Sequence, residues 1–91
     1  MRIDLALKYL CLARSRSGVK TLCDKNAITV NSQAAKASTT IHVGDRISVV
    51  YPARGERPAR TLTIELTDIP DRQASKAKAP SYYDVIEDYT T

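Results

Sequence analysis

Apolar residues near the start of the chain recur at helical spacing, and further on they fall at every second position. Leu7, Leu10 and Cys11 stand at i, i+3 and i+4, which predicts an amphipathic helix over about residues 5–12. Asp4 precedes it as a candidate N-cap, with Ile3 placed to staple the start of the helix. Val19, Leu22 and Cys23 repeat the spacing behind Ser15, a second candidate cap, so a second helix is expected to about residue 25. Asn26 is the expected stop, because asparagine tolerates the left-handed conformation that ends many helices.

The period then changes from helical to alternating. Ile28 and Val30 alternate with Thr29 and Asn31, and Asn31-Ser32 reads as a turn. The small, polar run from Ala35 to Thr40 predicts a short strand and loop, and Ile41 and Val43 lead into a turn at Gly44-Asp45. Ile47, Val49 and Tyr51 alternate as one strand, and Leu62, Ile64 and Leu66 as another. Between them "PARGERPAR", bracketed by Pro52 and Pro58, predicts the loop of an antiparallel hairpin. From Asp68 to Pro80 the chain is rich in Pro, Ala and Lys and reads as a linker. In the closing "SYYDVIEDYTT", Tyr82, Val85, Ile86 and Tyr89 suit one face of a short tail helix packed on the sheet. The expected organisation is a domain over residues 1–67 and a linker with an acidic, Tyr-containing tail over 68–91.

Charge adds a direction to this α+β pattern. Residues 1–60 hold 11 Lys/Arg against 4 Asp/Glu, a balance of +7; residues 61–91 hold 3 against 6, a balance of −3; together they make the net +4 of the chain. A basic body with an acidic tail points to a polyanionic partner, most often nucleic acid. Cys11 and Cys23 are too far apart for a CxxC pair, and His42 alone cannot complete a zinc set with them. Both thiols fall on apolar helical positions and are expected to be buried and free. Asp4 and Lys8 interrupt the apolar start, so no signal-peptide core is expected, and no run approaches the ~20 apolar residues of a membrane span. The chain reads as cytoplasmic and monomeric, with no cofactor, metal, membrane or small-molecule substrate expected.

The stretch "ARSRSGVKTLCDKNAITVN" places Arg14, Ser15 and Arg16 just ahead of the second helix. A helix start carries free N–H groups and a positive partial charge, and arginine adds a fork suited to phosphate oxygens. Arg16, Lys20 and Asp24 form one stripe at i, i+4 spacing, away from Val19, Leu22 and Cys23. One such arginine would be no more than a solvated helix face. Arg2, Arg14, Arg16, Lys20 and Lys36 taken together favour a phosphate grip.

These residues also follow a known order. Arg2-Ile3-Asp4 with Leu7, then Ser15-Arg16, then Ile28 to Asn31, then Lys36 with Ser38, then Gly44-Asp45 closely resemble the RNA-binding domain first described in ribosomal protein S-four. That resemblance implies two or three short N-terminal helices packed on a small, strongly bent antiparallel sheet. Short stand-alone domains with a basic hairpin and a Tyr-containing tail are similar to the heat-shock-protein-fifteen group and its small ribosome-quality-control relatives. That group binds large ribosomal subunits still carrying a stalled nascent chain on tRNA. The resemblance implies RNA contacts, to ribosomal RNA and tRNA, at Arg2, Arg14, Ser15, Arg16, Lys20, Asn31 and Lys36, and leaves Asp45 to the turn. The chain departs from the family pattern at Cys11, where arginine is usual, and at Asn26 and Ser32, where glycine is usual.

Aromatic content narrows the mode of recognition. Phe and Trp are absent, and Tyr9 and Tyr51 are the only rings in the basic body, with Tyr51 expected in the sheet core. Modules that read single strands stack bases on exposed rings; this chain is expected to grip folded RNA by shape and phosphate. A helix-turn-helix DNA binder is disfavoured, because strands rather than a third helix follow the pair. An enzyme is disfavoured too, for want of a nucleophile–base pair, a glycine-rich cofactor loop or a metal cluster; His42, between Ile41 and Val43, reads as an exposed strand position. Two alternatives stay open: a general structured-RNA or ribosome-assembly factor, and a protein-interaction module acting through the acidic tail.

Overall fold

The computed structural model describes residues 1–90. Two helices, α1 (Ile3–Tyr9) and α2 (Arg16–Asp24), are followed by strands β1 (Ile28–Val30), β2 (Gln33–Ala34), β3 (Arg46–Tyr51), β4 (Arg60–Leu66) and β5 (Tyr83–Thr90). The strands form one antiparallel sheet in the order β2-β1-β3-β4-β5. This is the expected α+β architecture.

Both helices stop by the same device. Cys11 and Asn26 hold φ of 60° and 57°. Around Cys11, the Leu12 N–H donates to the Leu7 carbonyl and the Cys11 N–H to that of Lys8; around Asn26, Ala27 donates to Leu22 and Asn26 to Cys23. These are Schellman caps, which satisfy carbonyls the helix would otherwise orphan. Asn26 ends α2 as expected. Cys11 lies outside α1 altogether and is exposed, whereas Cys23 is buried. The helical spacing that suggests a buried thiol at position 11 breaks because α1 ends a turn early. Asp4 does not cap α1 either: the flanking residue is Arg2, which makes no side-chain cap, and Asp4 sits buried in the first turn.

Alternation places the sheet's apolar side chains on one layer. Ile47 pairs with Ile64, Val49 with Leu62, and Ile28 with Val49, and all five are buried with Ile3, Leu7, Leu10, Val19, Ile41 and Leu66. Burying each such side chain contributes about 1.5–3 kcal/mol. The opposite layer is polar: Arg46 reaches Glu65 and the Thr63 hydroxyl bonds that of Ser48. Asn31 and Ser32, with φ of 51° and 70°, close the two-residue β1–β2 turn in the doubly left-handed form that such hairpins prefer. The second strand of that hairpin is Gln33–Ala34, not the Ala35–Thr40 run, which serves as a loop joined to the N-terminus through an Arg2–Thr40 bridge. His42 is exposed, in a loop rather than a strand.

The tail differs from expectation. Ala79–Tyr82 makes one 3-10 turn with Pro80 in its first positions, and Tyr83–Thr90 is the edge strand β5, not a helix. Tyr83, Val85, Ile86, Tyr89 and Thr90 are aromatic or β-branched, the types that suit a pleated surface. The free edge of β4 offers them a ladder of backbone groups that need partners. The register shifts between Thr63 and Ile64, opposite which Ile86 is the extra residue of β5. Of the four residues assigned to a buried helical face, Tyr82 packs half-buried against the core, whereas Val85, Ile86 and Tyr89 are exposed, Val85 by 56% and Tyr89 by 49%. Among the described residues, no helix is long and apolar enough to cross a membrane.

Candidate nucleic-acid interface

Helix α2 starts at Arg16 because Ser15, in extended backbone, accepts the Gly18 N–H through its hydroxyl at 3.1 Å. The remaining first-turn N–H groups have no intrahelical partner and keep the positive end of the helix open to anions. Ser15 is thus consumed in building that end.

The start of α1, the exposed side of α2 and the loop after β2 surround an open cleft of about 540 Å³. Arg2, Arg16, Lys20 and Lys36 line it, with Asp4, Ser17 and Ser38. Four of the seven expected contact residues therefore meet in one place although they are spread along the chain. The α1 backbone is pinned beside that loop by Ile3 N–H to Thr39 and Asp4 N–H to Ala37 carbonyls, at 2.8 and 3.2 Å. These bonds set the loop that carries Lys36 and Ser38 beside the start of α1, so that both line the cleft with Arg2.

Asp4, which sequence reasoning placed as a helix cap, is the organising group. Its Oδ1 accepts from Arg2 Nε at 3.2 Å and from the Leu5 N–H at 2.7 Å. Its Oδ2 accepts from Arg2 Nη2 at 3.1 Å and from Arg16 Nη2 at 3.3 Å. Burial of this carboxylate works to raise its pKa, yet the Arg2 and Leu5 hydrogen bonds and the charges of Arg16 and Arg2 outweigh it and hold the group below its ordinary value. The carboxylate side chain is 6% exposed, while those of Arg2 and Arg16 are 52% and 48% exposed. Each guanidinium is held from behind and free in front, so part of the entropy of fixing it is lost before any ligand arrives. The only sequence signal for this role is the Arg2-Ile3-Asp4 triplet itself, since nothing local shows that Arg16 folds back onto it.

Lys20 is bonded to Asp24 at 2.9 Å, an exposed i,i+4 pair of modest worth. Lys36 is exposed, and its N–H is held by the Thr39 hydroxyl. Arg14 is exposed but does not line the cleft. Asn31 lies apart from it as well. Its amide donates to Asp45 Oδ1 at 3.0 Å and accepts the Arg46 N–H at 3.0 Å. Asp45 also accepts the His42 N–H, at 2.8 Å, so both residues bind the turn before β3 to the end of β1. Of the two body tyrosines, Tyr51 points inward, its hydroxyl donating to the Leu12 carbonyl at 2.6 Å. Its pKa is pushed up to about 12 by burial, against the opposing Arg60 charge.

Chemically the cleft is an anion grip. Against the carboxylates of Asp4 and Asp24 it offers two arginine forks, two ammonium groups, two serine hydroxyls and a helix start, and none of its lining residues carries an aromatic ring. Such a set suits phosphates along a backbone better than base edges. Among the described residues, no group of three or more His, Cys, Asp or Glu side chains is gathered as a metal site would need.

Comparison with known proteins gives the same direction. The S4 domain family model matches residues 1–47, the segment that contains every residue of the cleft. A relative from Halalkalibacterium halodurans, the RQC P-site tRNA stabilizing factor, is 32% identical over 93% of this chain and 89% of its own length. The protein of that name from Bacillus subtilis is 27% identical over 97% of this chain and 94% of its own. The solved structure of trimeric Vibrio cholerae Heat Shock Protein 15 superposes with a TM-score of 0.78, covering 93% of this chain and 80% of that one at 22% identity, a likeness of fold.

Proposed function

The chain belongs to the S4 domain family, and we propose that it is a non-catalytic RNA-binding protein of ribosome quality control. The observation that carries this reading is the cleft, where Arg2, Arg16, Lys20 and Lys36 converge around the buried carboxylate of Asp4. Two relatives similar over nearly their whole length are named for stabilizing P-site tRNA in that process. On this reading the cleft grips phosphates of structured RNA, ribosomal RNA and tRNA of the large subunit, and the protein acts as a monomer in the cytoplasm. Arg2, Arg16, Lys20 and Lys36 contact the RNA directly, and Arg14 adds charge beside the helix start. Ser15 and Asn31 contribute by shaping the α2 start and the β1 end. Inward-facing Tyr51 supports recognition by shape and charge over base stacking.

Competition between a folded tRNA and a poly-pyrimidine single strand tests the reading. The folded RNA should win at physiological salt, with strong salt dependence. Equal or better binding of the single strand would overturn it. Sedimentation with large subunits that retain peptidyl-tRNA distinguishes quality control from general binding of structured RNA.

A further inference from the structure

The β3–β4 hairpin ends in a turn that takes no part in the cleft. Arg54 and Arg57 face each other across Gly55-Glu56, the Arg54 N–H donating to the Arg57 carbonyl at 3.1 Å and the Arg57 N–H to the Arg54 carbonyl at 2.9 Å. Gly55, with φ of 56°, occupies the first central position, where a tight hairpin turn requires a left-handed residue. Pro52 and Pro58 flank the pair and restrict its backbone. Residues directly opposed in an antiparallel pair project to the same side, so the turn holds two exposed guanidiniums as neighbours.

Like charges so placed destabilise a hairpin, and acids elsewhere in the chain relieve comparable positions. Arg46 is paired with Glu65 at 3.2 Å and Arg60 with Asp88 at 2.8 Å, while Arg2 and Arg16 share Asp4. Among the described residues, no carboxylate comes within ion-pair distance of Arg54 or Arg57, and Glu56 between them pairs with neither. The arm that carries them is anchored at its root. There the Tyr51 hydroxyl bonds the Leu12 carbonyl, and Arg60 lies 5.9 Å over the Tyr51 ring. Leu12 belongs to the α1–α2 loop, which also carries Arg14, the expected RNA-binding residue that the cleft does not include.

We propose that this hairpin tip is a second RNA contact, in which a backbone phosphate seats between Arg54 and Arg57 while the cleft holds the same molecule. The proposal rests on the RNA-binding reading of the cleft. A phosphate between the two forks replaces their repulsion with charge-assisted hydrogen bonds. A chain of phosphates offers groups to both sites, and the +7 balance of residues 1–60 favours such a polyanion over an isolated acidic peptide.

The test is a salt titration of binding to a tRNA transcript, comparing the intact protein with Arg54→Ala/Arg57→Ala and with Arg54→Lys/Arg57→Lys. Removing both arginines should weaken binding about two- to fivefold for each and flatten the salt dependence by roughly one unit of slope per phosphate released. The lysine pair keeps the charges and should preserve the slope. A photocrosslinking side chain in place of Glu56 should label the RNA. Unchanged affinity and slope in the folded alanine variant overturn the proposal. If that variant does not fold, absence of an RNA crosslink from position 56, or a crosslink to protein instead, overturns it. Reversing the charges of Lys20 and Lys36 keeps the two readings apart: if that change leaves binding intact, the cleft reading fails, whereas its loss beside a neutral tip variant sinks the tip alone.

Discussion

Asp4 and Arg16 are twelve residues apart in the chain, and their side chains meet at 3.3 Å. The contact joins the first turn of α1 to the first turn of α2 and orients the second helix start beside Arg2. A single carboxylate thereby supports the fold and positions two cations of the candidate RNA surface.

Asp4→Asn keeps the shape of the side chain and removes its charge. Because both guanidinium partners are about half exposed, the expected loss is about 1–2 kcal/mol of stability, less than for a fully buried ion pair. Urea unfolding at neutral pH measures it, and an unchanged midpoint would show that the clasp adds nothing. The pH dependence has a definite sign. The folded Asp4 pKa lies below the ordinary 3.8, so as pH falls the unfolded chain takes up the proton first. The stability from the clasp is complete above about pH 4 and is lost as pH falls through the folded value. The intact protein should therefore lose more stability than Asp4→Asn as pH falls below about 4.

The two thiols should separate in reactivity. Cys11 is exposed, while Cys23 is 7% exposed, and burial, aided by the charges of Asp24 and Asp4, pushes the Cys23 thiol pKa up. The thiolate is the reactive form. A disulfide reagent should modify one cysteine quickly in the native protein and the second only on unfolding. Cys11→Ser should abolish the fast phase; a fast phase that survives would place the accessible thiol at Cys23 and contradict this packing.

These residues show what the sequence makes legible. Val19 and Cys23, Ile47 and Val49, and Leu62, Ile64 and Leu66 lie where periodicity puts them, because burial enforces the period of each element. Asn26 ends its helix as asparagine is prone to do. Cys11 falls outside its expected helix because one residue at helical spacing cannot show that the helix has already closed. The tail departs from the expected helix for a different reason. Tyr82, Val85, Ile86 and Tyr89 do fit a helical face, but the competing attraction, the open edge of β4, exists only once the sheet has formed. For the candidate site, the order of basic residues indicates the surface but not its organisation. The Asp4 clasp joins two helix starts whose distance in space no local pattern contains.

Tyr51→Phe should cost about 1 kcal/mol, the worth of one hydrogen bond to the Leu12 carbonyl. Its pKa of about 12 is raised, so the stability linked to the protonated hydroxyl is full below about pH 10 and is lost as pH rises through about 12. Alkaline unfolding followed by circular dichroism should therefore begin at lower pH in the intact protein than a phenylalanine variant's own neutral-pH deficit would suggest. The gap between the two should narrow as pH rises, and a gap that stays constant to pH 12 would show that the Tyr51 hydroxyl is not held as described.

The sharpest test of the cleft reverses charge without touching the clasp. Arg16→Glu is a poor choice, because it would set a second carboxylate against buried Asp4 and confuse folding with binding. Lys20 and Lys36 avoid this, since both are exposed and neither contacts Asp4. In Lys20→Glu, the new side chain repels Asp24 one turn on, an i,i+4 cost of roughly 0.2–0.5 kcal/mol. Lys36→Glu changes a loop side chain whose backbone N–H stays bonded to Thr39. The double variant should therefore unfold within about 1 kcal/mol of the parent. Its RNA binding should fall steeply, with the salt dependence flattened by roughly one unit of slope for each phosphate the protein no longer neutralises. Filter binding to a folded tRNA across a salt series, alongside co-sedimentation with large subunits, reads both effects. A folded double variant that binds with parental affinity and slope would remove the cleft from the RNA-binding surface.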